Sequence, residues 1–324
     1  MAKIDIAIPC YQYGRYLTEC VESVLAQDVQ DLRVLIIDNA STDNSVEVAK
    51  EFARKDRRVE IVVHQKNLGP HASCNEGIDW ASSDYFLLLD ADDLLHEGAL
   101  ARATRFLDAH GDVAMTYGRA SYLTSDGALH QGNQVDPRIG WEIIDGTDLI
   151  WSFCAHPVHM IPSPTVVRRT AAQKKAGYYR TTLPYTDDME MWLRLMTLGR
   201  VGRTGHAQSI QRFHETRHTN QYLETVIRDF SEREKAIESF FAHEGKNVPG
   251  AADMLARARH SLGCHAYWTG LSQTLKGKLD LTDSRDLFSF AYARSPSAFL
   301  FPPLLWLLKH KLPHTSQKRG FGGA

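Results

Sequence analysis

The sequence predicts an α/β protein with a mostly parallel central sheet flanked by helices, followed by a helical C-terminal region. Short apolar runs alternate with helical patterns through residues 4–89. Alternation at this spacing is typical of a largely parallel, doubly wound sheet. Beyond about residue 216 helical patterns dominate. We therefore expect residues 1–215 to form one α/β domain and residues 216–324 to form a helical extension.

Four apolar segments are predicted as the first strands of this sheet. Each is rich in aliphatic residues and is followed by polar or turn-forming residues that lead into a helix. The last of them is apolar at every position, which indicates a central strand buried on both faces. The four segments are residues 4–8, 32–37, 59–63 and 85–89.

Later elements are predicted from weaker patterns. Residues 113–117 and 163–168 are predicted to be strands. Residues 187–198 are predicted to form a helix, because acids occupy the first turn and Gly199 can end the last one. In the C-terminal region, the longest predicted helices are residues 222–241 and 252–275.

Composition excludes several classes of protein. Hydrophobic residues are 43% and charged residues 23% of the chain, which is ordinary for a globular protein. The formal net charge of −2 argues against a general nucleic-acid binder. Five cysteines occur without a C-x-x-C pair, so neither a disulfide framework nor a zinc knuckle is expected. With no signal peptide and no apolar run of about 20 residues, we predict a cytoplasmic protein.

Polar residues follow three of the predicted strands at the point where each strand ends. Pro9 and Tyr11 follow the first, Asp38 follows the second, and Asp90-Ala91-Asp92 follows the fourth. In open α/β sheets ligands bind outside the carboxyl ends of the strands. We therefore expect these side chains to lie at one ligand-binding edge.

The acidic segment after the fourth strand predicts a divalent metal site. Carboxylates this close repel one another unless a cation lies between them. A hard ion with oxygen ligands, Mn²⁺ or Mg²⁺, removes that repulsion and commonly bridges substrate phosphates. The alternative is a solvated acidic turn before a helix at residues 99–107.

Taken in order, these segments resemble the motifs of glycosyltransferase family 2, which has the GT-A fold. The resemblance covers about residues 3–215, and no single motif carries it alone. The matching segments are I-P-C-Y at 8–11, I-D-N-A-S-T-D at 37–43, N-L-G at 67–69, N-E-G-I at 75–78, L-L-D-A-D-D at 88–93 and D-D-M-E-M-W-L-R-L at 187–195.

The resemblance implies a metal-dependent, inverting hexosyl transfer from a nucleoside-diphosphate sugar to an acceptor hydroxyl. Asp38 would read the base, and Pro9 and Tyr11 would line the nucleoside pocket. Asp90 and Asp92 would hold the diphosphate through Mn²⁺ or Mg²⁺. Asn67, Gly69 and Ala91 belong to the same donor-binding motifs.

The resemblance also implies a catalytic base in the helix at 187–198. Asp188 is the matching residue, but Asp187 stands where the family has Glu, so either carboxylate could serve. The third interpretation is that both acids only complement the dipole at the start of the helix.

Two further positions bear on the donor site. His214 belongs to an Arg-x-His element that in the family contacts metal or diphosphate, although a packing or surface role is the alternative. Cys74 occupies a position where many relatives have a basic residue that touches the nucleotide. A thiol cannot supply that charge, so UDP, dTDP and GDP donors all stay open.

The C-terminal region is expected to contribute acceptor, oligomer or membrane contacts. Residues 287–319 combine aromatic and leucine side chains with five basic residues and no acid. That composition suits peripheral contact with anionic lipid at the inner membrane face. The alternative is a helix packed on its own domain with a basic end.

These observations predict a glycosyltransferase of surface polysaccharide or glycoconjugate synthesis, with a saccharide or a lipid-linked saccharide as acceptor. One alternative is a nucleotidyltransferase, which would normally carry a Gly-rich basic loop after the first strand. Residues 9–15 contain one Gly and one Arg, which disfavours it. The other alternative is a non-catalytic sugar-nucleotide-binding protein, against which the Asp188 carboxylate argues because a binder needs no base.

Overall fold

A computed structural model describes residues 3–29, 31–131, 140–158, 161–215 and 225–299. The described residues within Met1–Asp148 and Ile161–Glu215 form one compact unit, and those within Leu149–Met160 and Thr216–Ala324 form a second. The sheet belongs to the first unit. The division predicted at 215/216 therefore differs from these units in one segment, residues 149–160. The functions assigned to the two parts stay predictions.

The first half of the sheet is parallel, in the order β3-β2-β1-β4. The chain order reverses direction between β1 and β4, and the crevice at such a point is the usual ligand site of open α/β sheets. All four predicted strands are present, with ends shifted by two residues at most. The elements are β1 (Ile4–Cys10), α1 (Gly14–Leu25), β2 (Leu32–Asp38), α2 (Ser45–Lys55), β3 (Val59–Val63), α3 (Pro70–Trp80) and β4 (Tyr85–Leu88).

The second half of the sheet is mixed and continues as β4-β9-β6-β10-β5, with β7 on β6 and β8 on β10. β9 is antiparallel to β4 and β6, whereas β6 and β10 are parallel. The elements are β5 (Leu94–Leu95), α4 (Ala99–Ala109), β6 (Val113–Leu123), β7 (Leu129–Gln131), β8 (Trp141–Ile144), α5 (Gly146–Ala155), β9 (Val167–Arg169), α6 (Thr170–Ala176), α7 (Asp187–Met196) and β10 (Arg200–Arg212).

Two parts of this half differ from the sequence prediction. Residues Ser163–Thr165 form a 3₁₀ turn, and only Val167–Arg169 pair as a strand, which fits Pro164 because proline lacks the N–H that a ladder requires. The long strand β10 was not predicted, since polar residues fill much of it. One of them, Gln208, is buried, and its side chain accepts from Arg102 Nε at 2.9 Å and donates to the Ala99 carbonyl at 3.2 Å.

The described part of the C-terminal region is helical, as predicted. It consists of α8 (Val226–Ala242), α9 (Ala251–Leu275) and α10 (Leu281–Arg294), with short 3₁₀ turns at Glu244–Asn247 and Pro296–Phe299. Arg294 Nε donates to Glu234 Oε1 at 2.6 Å and joins α10 to α8. Within the described ranges, no helix is both long and apolar enough to cross a membrane. Most of the predicted membrane-contact segment, residues 300–319, lies outside the described residues.

A buried carboxylate on β1 fixes the loop that leads into β4. Asp5 is fully buried and accepts from Arg33 Nε at 2.9 Å and Nη2 at 2.7 Å. The backbone N–H groups of Ser82 and Ser83 donate to the same carboxylate at 2.7 and 2.8 Å. Burial alone would raise the pKa of Asp5, but these hydrogen bonds hold it below its usual value. The ionised carboxylate therefore stabilises the fold at neutral pH.

Replacing Asp5 with Ala is expected to lower the free energy of unfolding by about 3 kcal/mol at pH 7, because it leaves buried donors without a partner. The urea midpoint measures this loss. Asp56→Ala removes a half-buried pair with Arg58, two residues along the chain, and should cost less, about 1 kcal/mol. Because the pKa of Asp5 is lowered on folding, its ionised form adds to the free energy of unfolding at pH values above the unfolded-state pKa. This contribution is lost as the pH falls through the pKa of Asp5 in the folded protein. A D5A loss no larger than that of D56A would contradict this account.

Candidate donor and acceptor site

The predicted site residues of the first two motifs lie at the carboxyl ends of β1 and β2. Cys10 and Asp38 are paired in register, so the loops that follow these strands begin side by side. Pro9 is half-buried, and the Tyr11 ring is 45% exposed just beyond the strand. An exposed aromatic ring beside a buried carboxylate is an arrangement suited to binding a nucleoside.

The two loops are joined by hydrogen bonds. Gln12 N donates to Ser41 Oγ at 2.9 Å, and Gly14 N donates to Asp43 Oδ2 at 3.0 Å. Gln12 and Ala40 both have positive φ, at 60° and 63°, a conformation that costs energy for residues with a Cβ. These contacts hold the two loops in one arrangement.

Asp38 is fully buried, and only one of its oxygens has a partner. Its Oδ1 accepts from Ser41 N at 2.9 Å and so caps the turn that follows β2. Its Oδ2 is also buried, and no described residue donates to it. A buried carboxylate oxygen without a donor is unfavourable, and a ligand N–H would relieve it.

Asn67 and Gly69 belong to the scaffold beneath this loop. Asn67 Oδ1 accepts from Asn39 Nδ2 at 2.9 Å and from Gly69 N at 2.8 Å. Gly69 turns the chain at φ +84° directly before α3. The structure therefore places Asn67 where it shapes the loop, with its side-chain oxygen already engaged.

Three carboxylates cluster in the turn between β4 and β5. One oxygen from each of Asp90, Asp92 and Asp93 lies within 4.8 Å of the others. Asp90 is exposed, whereas Asp92 and Asp93 are 4% and 0% exposed. Ala91 is fully buried in the hydrophobic core and could offer a ligand only its backbone. Asp93 was not singled out from the sequence.

Strand β10 delivers two further residues to this acidic turn. β5 pairs with β10 through Leu95 and Ser209, which brings Arg212 and His214 beside residues 90–93. Arg212 N donates to Asp93 Oδ1 at 2.9 Å, and its Nε donates to the Asp92 carbonyl at 3.1 Å. His214 Nε2 lies 2.9 Å from Asp92 Oδ2.

Aromatic rings surround His214. The centroid of the Tyr16 ring lies 4.7 Å from that of the imidazole, and the centroid of Tyr13 lies 5.6 Å away. The guanidinium groups of Arg15 and Arg212 lie 4.6 and 4.7 Å from the Tyr16 centroid. These contacts fix the imidazole plane and place positive charge beside the acidic turn.

The acidic turn fits a hard divalent cation. Two of its three carboxylates are buried, and bringing like charges together away from water is costly unless a cation compensates them. Carboxylate oxygens are the ligands that Mg²⁺ and Mn²⁺ take, and an imidazole beside them suits Mn²⁺. Asp90, Asp92 and Asp93 are therefore the residues that could hold the ion, with His214 at their side.

The predicted acidic pair begins α7. Asp188 is half-buried and its Oδ2 accepts from the Ser163 hydroxyl. Burial and the charge of Asp187 raise the pKa of Asp188 to about 6, against the opposing effects of Ser163, Arg168 and Tyr179. A carboxyl group with that pKa is ionised at neutral pH and basic enough to take a proton.

Arg168 places a buried positive charge near this pair. It is fully buried on β9, and none of its side-chain nitrogens has a hydrogen-bond partner among the described residues. The guanidinium lies 4.7 Å from the centroid of Phe86 and 5.3 Å from that of Trp192. These rings, together with the charge of Asp188, offset part of the cost of burying the cation.

Cys74 lies in α3, and its thiol is influenced by the charges of both acidic groups. Burial raises the pKa of its thiol well above the usual value, and the charges of Asp187, Asp90 and Asp188 raise it further. The unreactive, neutral form of the thiol is therefore favoured.

Several residues of this site were missed by sequence analysis. Arg168 had a usable signal, because it is a charge that follows directly on an apolar run. His71 lies in the first turn of α3, between the matching segments at 67–69 and 75–78, at a position with no expected role. Ser163 and Tyr179 gave no signal, because they reach Asp188 only through the folding of the irregular middle region.

Comparison with known proteins identifies the family. The sequence model of glycosyl transferase family 2 matches residues 5–175, just over half of the chain. The chain belongs to glycosyl transferase family 2. This assignment confirms the resemblance, and it favours the first of the three functions predicted from sequence over a nucleotidyltransferase.

Relatives and solved structures agree with this assignment. Glycosyltransferase GlyG of Streptococcus pneumoniae is 40% identical over 98 residues, which are 30% of this chain and 32% of GlyG. The chain thus aligns with about a third of that relative.

Residues 1–349 of S. aureus TarS with UDP-GlcNAc superpose with a TM-score of 0.67 at 17% identity, covering 95% of this chain and 87% of that one. The mannosyltransferase PcManGT from Pyrobaculum calidifontis, with GDP-Man and Mn²⁺, gives 0.56 at 15% identity, covering 90% and 86%. The fold is GT-A, as predicted.

Proposed function

We propose that this protein is a metal-dependent, inverting glycosyltransferase that moves a sugar from a nucleoside diphosphate to an acceptor hydroxyl. The observation that carries the proposal is the buried acidic turn of Asp90, Asp92 and Asp93, which fits a divalent cation, together with an acidic pair in which Asp188 has a raised pKa. Transfer needs charge stabilisation at the leaving diphosphate and a base at the acceptor, and these two groups supply one each.

The donor half of the proposal rests on the edge formed by β1, β2 and β4. The buried Asp38 Oδ2 can accept an N–H from the base, and the exposed Tyr11 ring can line the nucleoside. Asp90, Asp92 and Asp93 would hold Mn²⁺ or Mg²⁺, which as a Lewis acid stabilises negative charge on the diphosphate. The two neighbours solved with nucleotide sugars carry UDP-GlcNAc and GDP-Man, and the latter also Mn²⁺, which supports a nucleotide-sugar donor.

The acceptor half rests on Asp188. In an inverting transfer the acceptor oxygen attacks the anomeric carbon opposite the leaving group, so its proton must be taken on that face. The Ser163 hydroxyl donates a hydrogen bond to the Asp188 carboxylate. The raised pKa of Asp188 makes this carboxylate a better base at neutral pH. The acceptor class, a saccharide or lipid-linked saccharide of surface polysaccharide synthesis, is proposed from the family resemblance. Peripheral contact with the inner membrane face is proposed from the aromatic and basic composition of residues 287–319.

A thermal-shift panel of nucleoside diphosphates and their sugars, with and without Mn²⁺, tests the donor half. One nucleotide family should raise the melting temperature, and the shift should need the metal, since a ligand that binds only the native state stabilises it. Asp38→Asn keeps an oxygen for Ser41 but replaces the other oxygen with a donor. We expect it to weaken binding of that nucleotide about 10–100-fold. Equal, metal-independent shifts for all nucleotides would contradict the proposal.

A further inference from the structure

His71 makes an ion pair with the first acid of the predicted catalytic pair. Its Nε2 lies 3.2 Å from Asp187 Oδ2, and its side chain is 9% exposed. The Asp187 carboxylate raises the pKa of His71 by more than burial lowers it. The ion pair with Asp187 therefore shifts His71 toward the imidazolium form.

Asp188 is held differently from Asp187. It accepts a hydrogen bond from the neutral Ser163 hydroxyl, and no cation of the described residues lies within ion-pair distance of it. Asp187 is thus paired with a cation, whereas Asp188, the next residue along α7, is not. This difference separates two residues that sequence analysis could not distinguish as the base.

We propose that His71 is a positioning residue that binds Asp187 in an ion pair and so leaves Asp188 as the proton acceptor. This inference rests on the proposed function. In the transfer, the acceptor oxygen bonds to the anomeric carbon, the bond to the diphosphate breaks, and the nucleoside diphosphate leaves with the electron pair. The hydroxyl proton goes to Asp188, and His71 keeps its own.

The charges around Asp188 give His71 a second effect. Asp187 raises the pKa of Asp188 through its negative charge, and the imidazolium of His71 compensates that charge. Removing the cation leaves Asp187 uncompensated, so Asp188 should become harder to ionise. The groups that face Asp188 are Asp187 on its own helix, Ser163 from the 3₁₀ turn, Arg168 from β9, Tyr179 from the segment before α7, and His71 and Cys74 from α3.

The pH profile of transfer tests this inference. His71→Gln keeps a hydrogen-bond donor but removes the charge, and should move the acid limb of kcat/KM upward by about one pH unit. Asp187→Asn should move the limb downward, and the double variant H71Q/D187N should return it close to the wild-type position. Donor affinity should change less than about twofold in all three, because base recognition and the metal cluster involve other residues.

Controls separate a charge effect from a packing effect. His243→Gln changes an exposed histidine in the helical unit and should leave the profile unmoved. Equal loss of activity at every pH in H71Q, with an unmoved limb, would overturn the inference. So would a D187N variant that loses transfer while D188N keeps it. If wild type turns over no nucleotide sugar, the proposed function itself fails.

A second measurement applies if H71Q does not fold. Titration of the His71 imidazole by NMR should give a pKa above the usual value in the wild type and a lower one in D187N. An unchanged value would mean that Asp187 does not bind the imidazolium, and it would overturn the inference without any activity assay.

Discussion

Replacing Asp188 with Asn is expected to lower kcat for sugar transfer about 10²–10⁴-fold, the usual contribution of a general base. Asn has the shape of Asp but does not take the acceptor proton. Donor binding, measured by calorimetry with Mn²⁺, should stay within about twofold, since the role proposed for Asp188 is to take the acceptor proton and not to bind the donor. In the wild type, activity should fall about tenfold per unit below pH 6, because the pKa of Asp188 is raised to about 6.

The stability of the same variant distinguishes lost chemistry from lost folding. The folded-state pKa of Asp188 lies above its ordinary value, so folding favours the protonated form and ionisation costs stability above about pH 6. D188N should therefore melt at the same or a higher temperature than wild type at pH 8, with the difference shrinking toward pH 5. Full activity in D188N would contradict the assignment of Asp188 as the base. Loss of activity in D187N but not in D188N would indicate that Asp187 is the base.

Replacing Asp92 with Asn is expected to lower kcat/KM about 10²–10³-fold and to weaken Mn²⁺ binding. The metal is expected to stabilise the negative charge on the leaving diphosphate by several kcal/mol. Each 1.4 kcal/mol of lost stabilisation lowers the rate about tenfold. Asp92 is the buried carboxylate that also contacts His214, so its replacement removes a proposed ligand of the cation and alters that contact. Mn²⁺ titrations of donor turnover measure both effects.

Two variants serve as comparisons for Asp92. Asp112→Asn removes an exposed carboxylate that pairs with Arg200 and should leave turnover unchanged. His214→Ala should weaken Mn²⁺ more than Mg²⁺ if the imidazole is a ligand, since Mn²⁺ accepts nitrogen more readily. Mn²⁺ dependence unaltered in D92N would place the cation elsewhere.

The parallel half of the sheet was predictable because its signals are local. Each strand is an uninterrupted apolar run, and each ends at a polar residue that sheet topology gathers at one edge. Asp38, Asp90 and Asp92 were located from this pattern alone. The structure adds that Asp38 has one oxygen without a described donor and that Asp93 joins the acidic turn.

The acceptor side was less predictable because long-range contacts build it. Ser163 and His71 are brought to the start of α7 from segments 25 and 116 residues away along the chain. The many polar residues of β10 obscure the alternating apolar pattern that would predict a strand. This strand nevertheless brings Arg212 and His214 to the acidic turn. In both cases polar side chains such as Gln208 and Ser163 find partners that only the folded chain brings together.

The central claim is that this site transfers sugar with the help of a divalent cation. The most direct test is release of nucleoside diphosphate by wild type, using the donor that the thermal-shift panel selects and a saccharide acceptor. Release is measured with Mn²⁺, after chelation, and after Mn²⁺ is restored. We predict acceptor-stimulated release that stops on chelation and returns with the metal. Release that is indifferent to chelation, or bound donor that no acceptor ever consumes, would contradict the account.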